Sequence, residues 1–91
     1  MLRITVDDDV QAVALRLEGK LVGAWVQELR AVWSEAQALN KERLCVCLTE
    51  ISGIDVSGRR LLREIYCEGG VLTGSGLLAR TLIEGVKNYR L

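Results

Sequence analysis

Between Leu44 and Leu48 the chain reads Leu-Cys-Val-Cys-Leu, and neither alternating face of that run carries a charge. Leu44, Val46 and Leu48 form one face, and Cys45 and Cys47 form the other. A strand that is apolar on both faces belongs inside a sheet rather than at its rim. On either side of it the hydrophobic period changes to that of a helix. Upstream, Val22, Trp25, Val26, Leu29, Val32, Trp33 and Ala36 recur at i, i+3, i+4 and i+7, which predicts an amphipathic helix over 22–39 with Asn40 as its stop. Trp25 and Trp33 both fall on that stripe and are expected in the core. Downstream, Leu61, Leu62, Ile65 and Tyr66 predict a second helix from Gly58, closed by Gly69-Gly70. A central strand framed by helices implies parallel pairing through right-handed crossovers.

The remaining segments complete the order. Leu2, Ile4 and Val6 alternate with Arg3 and Thr5 up to an acidic turn at Asp7-Asp8-Asp9; Val13, Leu15 and Leu17 alternate again until Gly19-Lys20. The two runs predict an antiparallel hairpin. A loop through Ser52-Gly53 leads into the second helix. Val71-Leu72-Thr73 reads as a short strand, and a last helix follows Gly74-Ser75-Gly76 with Leu78, Leu82 and Val86 on its stripe. The expectation is an α/β fold: a small mixed sheet of about four strands in the order β-β-α-β-α-β-α, with helices mainly on one face. At 91 residues, 1–91 form a single domain.

The charge balance is neutral, 12 basic against 12 acidic side chains, so neither nucleic acid nor an anionic membrane is the expected partner. Neutrality also favours self-association. There is no histidine, which removes imidazole catalysis and ligation; no metal site and no cofactor are expected. The start, MLRITVDDDV, lacks the basic end and long apolar stretch of a secretory leader. With three cysteines, an odd number, and Cys45 and Cys47 read as buried in a strand, a cytoplasmic protein with reduced thiols is expected. Cys67, near a helix end, is the more accessible thiol. Tyr89 in the tail is uninformative.

The segment Gly53-Ile54-Asp55-Val56-Ser57-Gly58-Arg59-Arg60 sets a hydroxyl and two cations at a helix start. Arginine is disfavoured there, because the helix dipole already makes that end positive. Ser57 is read as the cap of the second helix and Ser75 as the cap of the last. Both lie at the carboxyl ends of parallel strands, where ligands gather, and are expected to be neighbours. Asp55 fixes the loop, Gly58 admits a partner to the backbone, and Arg59 and Arg60 offer charge to a phosphate or an acidic surface. Serine hydrolase chemistry is not expected. The segment has no G-x-S-x-G elbow, and nothing supplies a proton shuttle.

The stretch "LTEISGIDVSGRRLL" resembles the STAS domain family (sulphate transporter and anti-sigma-factor antagonist). There a buried strand leads through a loop to Asp-Ser-Ser-Gly at a helix start, the place occupied here by Asp55-Val56-Ser57-Gly58. "ALRLEGKL", residues 22–39 and "VLTGSGLLARTLIEGV" resemble other parts of the family pattern. The resemblance implies a non-enzymatic regulatory module like an anti-sigma-factor antagonist, with Ser57 as the residue phosphorylated by an anti-sigma-factor-like serine kinase and Asp55 as the loop-fixing acid. The sequence departs from the family pattern in four places. Val56 replaces the first serine, Cys47 stands where many antagonists carry an acid, Arg59-Arg60 replaces small or apolar residues, and the chain ends at Leu91 where the family usually continues. The face bearing Ala12, Ala14, Cys45, Cys47 and Thr49 would then lie uncovered, and a homodimer is expected through it. The rival reading is a ligand-binding module. In it, the helix starts near Ser57 and Ser75 together hold a small anion or nucleotide phosphate.

Overall fold

The computed structural model describes residues 1–88, so Tyr89 and Leu91 lie outside the described residues. In chain order the elements are β1 (Leu2–Asp8), β2 (Ala12–Leu21), α1 (Ala24–Ala38), β3 (Arg43–Ile54), α2 (Val56–Cys67), β4 (Val71–Thr73) and α3 (Leu77–Lys87). The four strands form one sheet in the order β1-β2-β3-β4. β1 and β2 pair antiparallel, with Ile4 opposite Leu17 and Val6 opposite Leu15. β2–β3 and β3–β4 pair parallel. This is the mixed sheet that the alternation predicts, with the uncharged run at 44–48 between two neighbours.

All three helices pack on the same face. Val13, Leu15 and Leu17 of β2 and Val46, Leu48 and Ile51 of β3 form one cluster with Leu29 and Trp33 of α1, Leu61, Leu62 and Ile65 of α2, and Leu82 of α3. Full burial of each such leucine stabilises the fold by about 1.5–3 kcal/mol. The opposite face has no second layer. Ala12, Ala14, Cys45 and Cys47 are half-buried there, and Arg16, Thr49 and Val71 are exposed. The two strand cysteines are therefore surface thiols on a helix-free face, a correction to the reading of the run as buried on both sides. Cys67 is exposed, as expected.

β3 is longer than the hydrophobic run. Its pairing with β2 slips twice, between Arg16 and Glu18 and between Gly19 and Lys20, and each slip gives β3 one extra residue. The first bulge reverses the alternation: Val46 and Leu48 face the core, Thr49 and Glu50 are both exposed, and Ile51 rejoins the core. Ser52 and Gly53 thus belong to the strand instead of a loop, and Lys20 and Leu21 continue β2 past Gly19. The extra length carries Asp55 to the end of β2.

The helix ends follow their local chemistry. Asn40 adopts a left-handed conformation just past α1, as a stop residue does. Past α2, the Gly69 N–H donates to Tyr66 O and the Gly70 N–H to Ile65 O, a Schellman closure. Trp33 is buried, but Trp25 lies off the stripe set by Val26, Leu29 and Trp33 and is 37% exposed. α1 and α2 are tied by an Arg30–Glu64 ion pair at 2.7 Å and by the Trp33 indole N–H, which donates to Glu68 at 2.7 Å. Among the described residues no helix is long and apolar enough to cross a membrane. Glu68→Ala leaves that indole N–H without its acceptor in a buried setting. The expected cost is about 1–2 kcal/mol, measured as a lower midpoint in urea unfolding.

Candidate functional site

α2 begins under the side chain of Asp55, one residue earlier than Ser57. Asp55 is the N-cap: its backbone is extended, and its Oδ1 accepts the Gly58 N–H at 2.8 Å. The Ser57 hydroxyl donates to the same oxygen at 2.8 Å. Ser57 is therefore a donor in the first turn and not the cap, because aspartate caps as well as serine and here has a second task. Its other oxygen, Oδ2, accepts the Gly23 N–H at 2.9 Å. Gly23 is the N-cap of α1, which has no side-chain cap of its own. One carboxylate thus serves the starts of both crossover helices. The Gly23 N–H, then the Gly58 N–H and the Ser57 hydroxyl, hold the Asp55 carboxyl below its ordinary 3.8.

That carboxylate also accounts for the two arginines. Its negative charge at the start of α2 opposes the positive end of the dipole and makes cations in the first turn tolerable. The arginines nevertheless diverge. Arg60 shares a helical row with Glu64, which faces α1 through Arg30, whereas Arg59 and Arg63 line a groove toward α3.

Gly58, expected to admit a partner, is buried and admits the chain itself. A Cβ there would stand 2.5 Å from the Leu21 carbonyl oxygen and 2.7 Å from Ile54 Cγ1. The Asp55 N–H donates to the same Leu21 oxygen at 3.3 Å, so the turn is seated on the end of β2. Sequence reading takes this glycine as a contact residue because the close approach of β2 comes from 37 residues upstream in the chain.

Ser75 does not join Ser57. The N-cap of α3 is Gly76, without a side-chain bond, and the Ser75 N–H donates to Thr49 Oγ1 at 3.1 Å. β4 stops at Thr73, opposite Cys47, while β3 runs on to Ile54 before turning, so the two serines stand at different heights of the sheet. Sequence reasoning missed the cluster around Thr49. There Cys47 Sγ lies 3.4 Å from Thr49 Oγ1, and Thr73 and Arg16 occupy the neighbouring strand positions. The Thr49 hydroxyl draws the Cys47 thiol below its ordinary value against the opposing effect of burial; the Thr49 backbone, the Thr73 hydroxyl and Arg16 act in the same direction.

No family model matches this chain, and no curated protein matches it in sequence. Solved structures do match its fold. An anti-sigma factor antagonist from Mycobacterium paratuberculosis superposes with a TM-score of 0.79 at 17% identity, over 92% of this chain and 76% of that one. The anti-sigma factor antagonist SpoIIAA in its unphosphorylated form gives 0.65 at 21% identity, over 91% and 83%. An antisigma-factor antagonist STAS domain from Rhodobacter sphaeroides gives 0.61 at 20%, over 86% and 89%. The chain has a STAS-like fold, as its motif resemblance implies.

The double role of Asp55 has a pH signature. A carboxyl whose pKa is lowered by folding contributes stability that is complete above its unfolded value, and that contribution disappears as pH falls through the folded value. Asp55→Asn has one acceptor oxygen instead of two and cannot satisfy both helix starts. It is expected to lower Tm by several degrees at pH 7 and to shrink the loss of Tm between pH 4 and about pH 2. Thermal unfolding of both proteins across that range checks it.

Proposed function

We propose that this chain is a non-enzymatic regulatory module in the manner of an anti-sigma-factor antagonist, acting in the cytoplasm by binding a regulatory protein across the β3–α2 turn. Ser57 is its phosphoacceptor, and the enzyme that modifies it is a serine kinase of the anti-sigma-factor type. The fold supports the regulatory class, since solved structures sharing it are named as antagonists, one of them in its unphosphorylated form. The finer reading is carried by the bond from the Ser57 hydroxyl to Asp55 at 2.8 Å.

Ser57 is exposed, so its hydroxyl is within reach of a kinase. Phosphorylation would replace the donated proton with a group carrying about −1.5 to −2 charge beside a carboxylate. Asp55 cannot release its two backbone N–H groups without opening both helix starts, so the phosphate must turn away from it toward solvent. The core is untouched, while a neutral hydroxyl on the binding surface becomes a projecting anion. The exposed guanidiniums of Arg59 and Arg60 belong to that surface and suit an acidic partner.

The same carboxylate weighs against the rival reading. An anion at the start of α2 would face Asp55, which already holds the Gly58 N–H, and the Ser75 N–H is engaged by Thr49 instead of turned to a joint site. The homodimer expected from the sequence would use the helix-free face around Ala14, Cys45 and Cys47.

Peptide mapping by mass spectrometry, on protein isolated from its own cells under several growth conditions, should find phosphate on Ser57. Full coverage of the peptide with no phosphate in any condition would end the switch reading. Size-exclusion chromatography with light scattering at high concentration should give the dimer mass, and a monomer would remove that contact.

A further inference from the structure

Cys45 and Cys47 lie on the helix-free face of β3, on either side of Val46, whose side chain is buried in the core. The pairing is regular there: Ala14 and Val71 flank Cys45, Arg16 and Thr73 flank Cys47, and the first bulge lies beyond Cys47. A buried cysteine serves as a small hydrophobe, but both of these are only half-buried and no second layer covers them among the described residues. Packing therefore does not account for two thiols side by side, and surfaces otherwise avoid exposed free cysteine.

Pairing with each other does not account for them either. A strand rises about 3.3 Å per residue, so side chains two apart on one face have Cβ atoms about 6.6 Å apart. A disulfide needs about 3.5–4.5 Å and cannot close here while the sheet is intact. A single soft cation does fit that span. Two metal–sulfur bonds of about 2.3 Å in line hold the sulfurs about 4.6 Å apart, which each reaches by leaning about 1 Å toward the other. A tetrahedral ion wants further ligands, and no group of three or more His, Cys, Asp and Glu gathers to supply them among the described residues.

We propose that Cys45 and Cys47 form a two-coordinate site for a soft monovalent cation of the copper(I) kind on the helix-free face. Thiolates select soft cations, and the lack of histidine is no obstacle because both ligands are sulfur. Each thiol releases its proton on binding, which leaves the loaded pair with a single negative charge. Arg16, opposite Cys47 and close enough for its charge to act on that thiol, offsets it. Loading takes one side-chain rotation. The Cys47 thiol, which donates to Thr49 Oγ1 at 3.4 Å, turns toward Cys45, and Thr49 keeps the Ser75 N–H. The site lies apart from the Ser57 turn and does not rest on its phosphorylation.

The test is an anaerobic titration of the reduced chain with copper(I) against ferrozine, whose coloured complex reports the copper that it keeps. The protein is kept dilute, because a dimer through this face would cover both thiols. One ion per chain is expected, with a raised Tm on saturation. Cys45→Ser and Cys47→Ser should each weaken binding by more than about a hundredfold, beyond the cost of losing an outer-shell partner. Cys67→Ser, at an exposed thiol on the helical side, should bind as the native chain does. Circular dichroism of the three variants separates a lost site from a lost fold. Failure to draw copper(I) from ferrozine overturns the inference. So does unchanged binding by either strand variant, equal affinity for zinc(II), or one ion shared between two chains.

Discussion

Both crossover helices on β3's path start beneath one carboxylate. Asp55 caps α2 through one oxygen and reaches the uncapped start of α1 through the other. The turn that holds it is seated on Leu21 through the Asp55 N–H and through the bare Cα of Gly58. The exposed serine therefore stands on a platform made by β2, β3, α1 and α2 together. A hydroxyl attached to such a platform can change its charge without moving the elements beneath it, as a phosphorylation switch that preserves the fold requires.

Most of the architecture was legible from hydrophobic period alone. The uncharged run at 44–48, the stripe from Val26 to Ala36 and the stripe from Leu61 to Ile65 are local patterns, and the structure reproduces them as a central strand and two packed helices. The stops at Asn40 and at Gly69-Gly70 were legible for the same reason, since left-handed backbone favours those residue types. What sequence could not give is what depends on partners distant in the chain. The bulges in β3 arise from its register with β2, and they set the height of Asp55. The early end of β4 separates Ser75 from Ser57. Asp55 was read as a loop acid, and its second bond to Gly23 spans 32 residues that no local pattern connects.

The sheet is asymmetric. One face carries the whole core, and the other exposes small residues, two thiols and the Arg16–Asp7 ion pair. Cys45 and Cys47 were read as buried because the pattern of a strand shows that its faces are apolar, without showing whether a second layer covers them. With every helix drawn to one side, the Ser57 turn lies at the edge of the helical layer, at the starts of α1 and α2.

The two tryptophans occupy opposite situations in α1. Trp33 is buried with its indole N–H bonded to Glu68, whereas Trp25 stands partly exposed in the first turn, two residues beyond the Gly23 N–H that Asp55 holds. The chain thereby contains its own optical gauge. Its emission divides into a shielded component that reports on the core and a solvent-facing one positioned to register any slackening where the two helix starts are joined.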